Sequence, residues 1–230
     1  MNFPAGLFQD AWAWVAFLPV SIVLLWAIST APWRRLTDSA QLNVWSGTIV
    51  VLMLMWSMKA GVKPGLNLHL LGAITFTLMF GRQLAIIGLA VVLAAVTINS
   101  ANMGWSAYAL NALVMIVVPV FLAHAVLRLA ERRLPANIFI FFFVGAFFNA
   151  ALTTIATGLL TSSLLILADV YPANLVLNDY LPYFLLMSFA EAWLNGAAIT
   201  LMVVYFPAWV GSFDDNRYLN KHKSMENKHE

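Results

Sequence analysis

Apolar runs separated by short polar links fill most of this chain. The runs cover residues 11–31, 43–58, 68–80, 84–98, 107–130, 138–167 and 180–206. Runs of this kind predict helices that cross a bilayer, and a full crossing takes about 20 residues. The runs 43–58 and 68–80 fall short of that, so the second of them needs shelter from its neighbours. The run 138–167 is too long for one straight helix across ~30 Å of hydrocarbon. Its middle is rich in Thr, Ser and Gly, which predicts a long tilted helix kinked or broken near Gly158.

The links carry the punctuation. Pro32-Trp33-Arg34-Arg35 ends the first run and Lys59 ends the second. The link 59–67 holds two glycines and a proline, so it is expected to be irregular. Gly81-Arg82-Gln83 predicts a tight cytoplasmic turn, and 99–105 a polar loop anchored by Trp105. Glu131-Arg132-Arg133-Leu134-Pro135 ends the fifth run, and 169–179 reads as an outer loop. The expected fold is all-α: a polytopic membrane bundle of about seven helices in one transmembrane domain, 1–212. A polar cytoplasmic tail, 213–230, follows, and its end is expected to be disordered.

Composition agrees with the pattern. Of 230 residues, 62% are hydrophobic and only 10% charged, which excludes an ordinary soluble domain. Cysteine is absent, so disulfides, thiolate metal sites and cysteine nucleophiles are excluded. The first ten residues carry no basic group, so they lack the positive head of a signal peptide. Proline and glycine at positions 4 and 6 let them turn inward. With the amino end outside, every basic residue of the twelve except Lys59 and Lys63 falls on the inner side. That asymmetry predicts N-out, C-in. Trp and Tyr near the ends of the runs read as interfacial anchors. The phenylalanines of 139–148 read as lipid-facing or core bulk.

Three ionisable residues sit in or at the mouth of the runs. His69 stands at the head of an apolar run inside Pro64-Gly65-Leu66-Asn67-Leu68-His69-Leu70-Leu71-Gly72. It is either satisfied by a neighbouring helix or serves a ligand, since lipid offers it no partner. His124 lies one turn before Arg128 and can reach the inner headgroups. Glu191 is near mid-depth, so it is protonated or paired, and Asn111 and Asn195 are candidate amide partners. A structural brace between helices or part of an ion path are its two readings, with the brace preferred. There is no Walker A pattern and no HExxH, and Ser106 with His124 makes no convincing nucleophile–base pair. A transporter or its binding subunit fits better than an enzyme.

Several stretches together resemble a known family. These are Met1-Asn2-Phe3-Pro4-Ala5-Gly6-Leu7-Phe8, Gly65 to Gly72, the Asn-rich loop with Asn111, and Glu191-Ala192-Trp193-Leu194-Asn195-Gly196. Tyr205-Phe206-Pro207-Ala208-Trp209-Val210 and Phe213-Asp214-Asp215-Asn216-Arg217-Tyr218-Leu219 complete the set. In that order they resemble the CbiM/NikM-type substrate-capture subunits of energy-coupling-factor transporters for cobalt and nickel. The resemblance implies a multi-pass protein of the bacterial inner membrane, in contact with lipid and without nucleic acid. It implies a transmembrane coupling subunit and ATP-hydrolysing subunits as partners. No intrinsic cofactor is implied, with Ni2+ or Co2+ as bound substrate. It implies a metal site made by the amine of Met1, by residue 2 and by the loop histidine, here His69. Residue 2 departs from the pattern: the family has histidine and this chain has Asn2, whose amide oxygen is a poorer ligand for these ions. Two classes therefore stay open, a metal-capture subunit and a membrane scaffold that keeps the fold without the metal.

Overall fold

The structure, a computed structural model, describes residues 2–63, 66–100 and 104–218. Six helices are long and apolar enough to cross a membrane. They are α1 (Asp10–Thr30), α2 (Ser39–Ser57), α3 (Ala73–Ile98), α4 (Trp105–Arg133), α5 (Ile138–Leu167) and α6 (Ala173–Tyr205). A short helix, α7 (Asp215–Tyr218), follows them. Between α2 and α3 lies a small antiparallel pair, β1 (Ala60–Lys63) with β2 (Leu66–Leu68), so the link expected to be irregular is instead mostly paired strand, with one register shift between Gly61 and Lys63.

The third and fourth runs share α3 because it is folded in half. Gly81 has φ 78° and ψ 171°, far from helical values. A Cβ added at Gly88 would run into the ring of Phe76. In a straight helix those residues would stand about 18 Å apart along the axis. The halves 73–80 and 82–98 therefore pack side by side around the turn at Gly81. The six long helices make seven passages into the bilayer, one of them only about 12 Å deep. A glycine is required at the turn, since its φ is one that other residues rarely adopt.

This arrangement puts the termini on opposite sides. Arg34, Arg35, Arg82, Arg128, Arg132, Arg133 and Arg217 gather at one end, and the positive-inside rule makes that end cytoplasmic. Buried side chains concentrate on α3 and α4, whose most apolar windows are each 56% buried, against 17% for α1 and α2. Both halves of α3 thus form the centre of the bundle. The outer face of α1 shows Trp14, Val15, Leu18 and Leu25 to lipid.

Two irregular turns occur just before a proline, where the sequence removes a helical hydrogen bond. A wide turn at Leu113–Val117 precedes Pro119, and another at Val176–Tyr180 precedes Pro182. Proline has no N–H to close the turn before it, so the helix widens there. α5 is not broken near Gly158. Its wide stretch is Phe141–Phe148, and Gly158 sits in regular helix where the Phe184 ring fills the space of a side chain. The 169–179 segment is mostly helical, because α6 begins at Ala173. The phenylalanine run is mixed, with Phe139, Phe143 and Phe148 exposed and Phe141 buried.

Past α6 the chain crosses the inner face. Gly211 and Ser212 donate to the carbonyls of Met79 and Leu78 at 2.9 and 3.1 Å. Phe213 and Tyr218 pack on Phe141, and the Arg217 guanidinium donates to the Glu131 carbonyl. The end of the tail, 219–230, lies outside the described residues.

Candidate functional site

The amino-terminal segment folds into the bundle. Asn2 and Phe3 are buried, with Phe3 edge-on to Phe8 at 4.8 Å. Gly6, at φ 76°, turns the chain from this segment toward α1. Gly104 leaves room for Ala5, where a Cβ would come within 2.7 Å of the Ala5 Cβ. Backbone groups taken out of water inside a membrane protein need partners. Asn111 of α4 supplies them for Phe3: its Oδ1 accepts from the Phe3 N–H at 2.8 Å, and its Nδ2 donates to the Phe3 carbonyl at 3.0 Å. Asn111 therefore serves this segment and does not partner Glu191.

The segment brings Asn2 to His69. The imidazole Nε2 stands 2.7 Å from Asn2 Oδ1, and Nδ1 stands 3.0 Å from the Leu70 carbonyl. Both partners accept, and the neutral ring has one hydrogen to give, to the Leu70 carbonyl from Nδ1 or to Asn2 Oδ1 from Nε2. Burial pushes the imidazole well below the usual histidine range, and the positive charge of Lys59 adds to this. With the hydrogen on Nδ1, the Nε2 lone pair faces an amide oxygen. That contact is then satisfied by a shared cation, or by the amide turned to present its NH2. Met1 lies outside the described residues.

His69 is held from three directions. Trp56, at the outer end of α2, lies 5.3 Å from the imidazole, centroid to centroid, and donates Nε1–H to the Leu71 carbonyl at 2.9 Å. Gly72 has φ 61°, and Leu52 occupies the space where its Cβ would be. From α6, Glu191 accepts from the Leu71 N–H through Oε1, and from the Gly72 N–H at 3.4 Å. Its other oxygen accepts from Asn195 Nδ2 at 2.6 Å, and Asn195 Oδ1 accepts from the Thr75 N–H and hydroxyl at 3.0 and 2.6 Å. Glu191 and Asn195 thus bind the loop carrying His69 to α6, and neither reaches His69 or Asn2. An open depression of about 880 Å³ leads to His69 between α2, the strand pair and α6. Met55, Met58, Tyr183 and Met187 are among its walls.

Trp56 and Tyr180 are not interfacial anchors: they are 0% and 1% exposed. The parts that sequence reading missed are Trp56, Thr75 and the backbone of 70–72. Trp56 stands three residues before Lys59 and looks like any span-end aromatic, and backbone groups leave no mark in a sequence. His124 is partly buried near the inner end of α4, away from this cluster. Among the described residues no three His, Asp or Glu side chains converge as a ready metal cage. A cation at His69 would take its other donors from amide or main-chain groups.

The comparisons with known proteins agree with this architecture. No curated protein sequence matches the chain. A crystal structure of a truncated transition metal transporter is similar, with a TM-score of 0.71 at 17% identity. The match covers 89% of this chain and 99% of that one. A crystal structure of a transition metal transporter matches with a TM-score of 0.68, also at 17% identity, over 88% of this chain and 92% of that one. At that identity the likeness is one of fold. The family described as CbiM, cobalt uptake substrate-specific transmembrane region, matches residues 2–209, so the chain belongs to that family.

Proposed function

We propose that this member of the CbiM family is the substrate-capture subunit of a transition-metal uptake system in a bacterial inner membrane. It takes a divalent cation of the nickel or cobalt type at His69 and Asn2, with the amine of Met1 as a further donor. Separate transmembrane and ATP-hydrolysing subunits supply the energy. One observation carries the reading: a buried imidazole holds its Nε2 2.7 Å from an amide oxygen, beside an opening to the outer side. Imidazole nitrogen suits nickel, zinc, copper and iron, and a carbonyl oxygen accepts harder divalent ions, so the pair suits a mid-series cation. The backbone carbonyl of Leu70 can take the Nδ1 hydrogen, which is how ligating histidines are commonly oriented.

Calorimetric titration of nickel and cobalt into the wild type, His69→Ala and Asn2→His tests the reading. Wild type binds, His69→Ala abolishes binding, and Asn2→His strengthens it by adding a second imidazole. Residues added before Met1 weaken it. Equal behaviour of all these forms would instead support a scaffold that keeps the fold without the metal. Asn2, standing where an imidazole would bind better, is the observation that favours that second reading.

A further inference from the structure

The first half of α3, 73–80, is gripped at both ends by one element and its continuation. At the outer end Glu191 and Asn195 of α6 take the N–H groups of Leu71, Gly72 and Thr75. At the inner end the chain running on from α6 returns, and Gly211 and Ser212 donate to the carbonyls of Met79 and Leu78. Those carbonyls are free of helical partners because Gly81 breaks the helix just beyond them. Arg35 donates to the same Met79 carbonyl at 2.7 Å and lies over the Phe80 ring at 4.8 Å. Gln41 donates to the Ala208 carbonyl at 2.9 Å, so the returning segment is itself held on the inner face.

The outer grip admits only one kind of side chain. Both Glu191 oxygens accept, one from the 71–72 backbone and the other from Asn195. Asn195 cannot reverse its amide without losing both bonds from Thr75. Glutamine at position 191 would therefore place an NH2 against another donor whichever way it turned. The bond to Leu71 N lies two residues from His69, on the loop whose Leu70 carbonyl stands beside the imidazole.

We propose that Glu191 is a positioning residue for the capture site, and that 73–80 is a lever. A displacement of the returning segment 207–212 at the cytoplasmic face is carried by this short helix to His69. The inference rests on the proposed capture role of His69. An eight-residue helix spans about 12 Å and does not bend over that length, so its two ends move together. A partner that pressed on the inner face would then loosen or tighten the imidazole against Asn2 without touching it.

The experiment reads His69 both without and with metal. In metal-free protein labelled with 15N-histidine, the signals of His69, identified by their loss in His69→Ala, report its tautomer and hydrogen bond. Glu191→Gln and Gly211→Ala should each shift them. In the second variant a Cβ would run into the Arg35 guanidinium and come within 2.9 Å of the Met79 carbonyl that it holds, at the far end of the lever. Two controls should leave them in place. Gly47→Ala meets open space, and Asn149→Ala removes a buried brace between α5 and α4. If Glu191→Gln fails to fold, Thr75→Val removes one bond of the outer grip and takes its place. In the metal titration both lever variants should lose about 10–100-fold in affinity, the usual cost of disturbing groups that orient a ligand. Absence of metal binding by wild type would sink the capture reading while the metal-free signals still judged the lever. Unmoved signals in Gly211→Ala, or equal movement in Asn149→Ala, would overturn the lever.

Discussion

Two buried polar clusters in this bundle are built in opposite ways. The outer cluster joins Asn2, His69, Asn111, Glu191, Asn195 and Thr75, and its bonds between separate elements link residues 67 to 120 positions apart. The other is a column on α5: Asn149, Thr153, Thr157 and Thr161, all buried. There Thr157 and Thr161 donate to carbonyls one turn back in their own helix, and Thr153 donates to Asn149. Only Asn149 reaches another helix, through the Ala123 carbonyl of α4. Thr154 and Ser162 have hydroxyls with no hydrogen-bond partner among the described residues. The column hides its hydroxyls on a backbone already bonded, so it tolerates their loss. The outer cluster supplies partners that backbone groups in loops would otherwise lack, so it fixes where those loops go.

The contrast predicts a graded set of effects. The largest belongs to Glu191→Leu, which strands the Leu71 and Gly72 N–H groups and takes one of two acceptors from the Asn195 NH2. It should cost about 2–3 kcal/mol, the upper range for buried donors left unpaired. Unfolding in detergent measures it, and a loss no greater than that of a column threonine would erase the distinction. Asn111→Leu comes next. It strands the N–H and carbonyl of Phe3 and should cost about 1–2 kcal/mol. It should also release the amino-terminal segment, seen as faster hydrogen exchange at Phe3 while α5 stays protected.

Thr157→Val is expected to cost about 0.5 kcal/mol or less, in line with the small average worth of side-chain hydrogen bonds inside membrane bundles. A loss several times larger would show that the column also joins helices. The smallest expected change is none. Burial and the nearby Lys59 charge hold the His69 imidazole well below the usual histidine range. The neutral form is therefore the one present on both sides of pH ~6.5, where a water-exposed histidine would gain its proton. The 15N signals of His69 should stay unchanged between pH 7 and pH 6. A midpoint near ~6.5 would mean that the ring is open to water and the outer cluster is looser than drawn.

Much of the bundle was legible because its cause is local. Membrane crossing depends on apolar length, and sidedness depends on where arginine and lysine fall, both of which a sequence displays. The turn at Gly81-Arg82-Gln83 was readable for the same reason, although one helix spans it. The kink placed near Gly158 was not correct. Glycine there makes room for Phe184, and the helix widens at the phenylalanines instead. Asn111 and Asn195 were visible as buried amides, but only the fold shows that the first serves Phe3 and the second Glu191.

What the sequence by itself determined was therefore the membrane-bundle class and the approximate number of passages, and its charges predicted the sidedness, since each follows from the free energy of placing particular side chains in lipid or water. It also marked His69 and Glu191, because an ionisable group in an apolar run demands an explanation. The tertiary structure alone decided which groups meet. Asn2 faces His69 across 67 positions, Glu191 reaches the amides before α3 across about 120, and the segment after α6 returns to the far end of the same short helix. Those pairings depend on backbone donors and acceptors left open where helices end or break. Every residue but proline carries the same two groups, so nothing in the order of side chains says which of them will be left over.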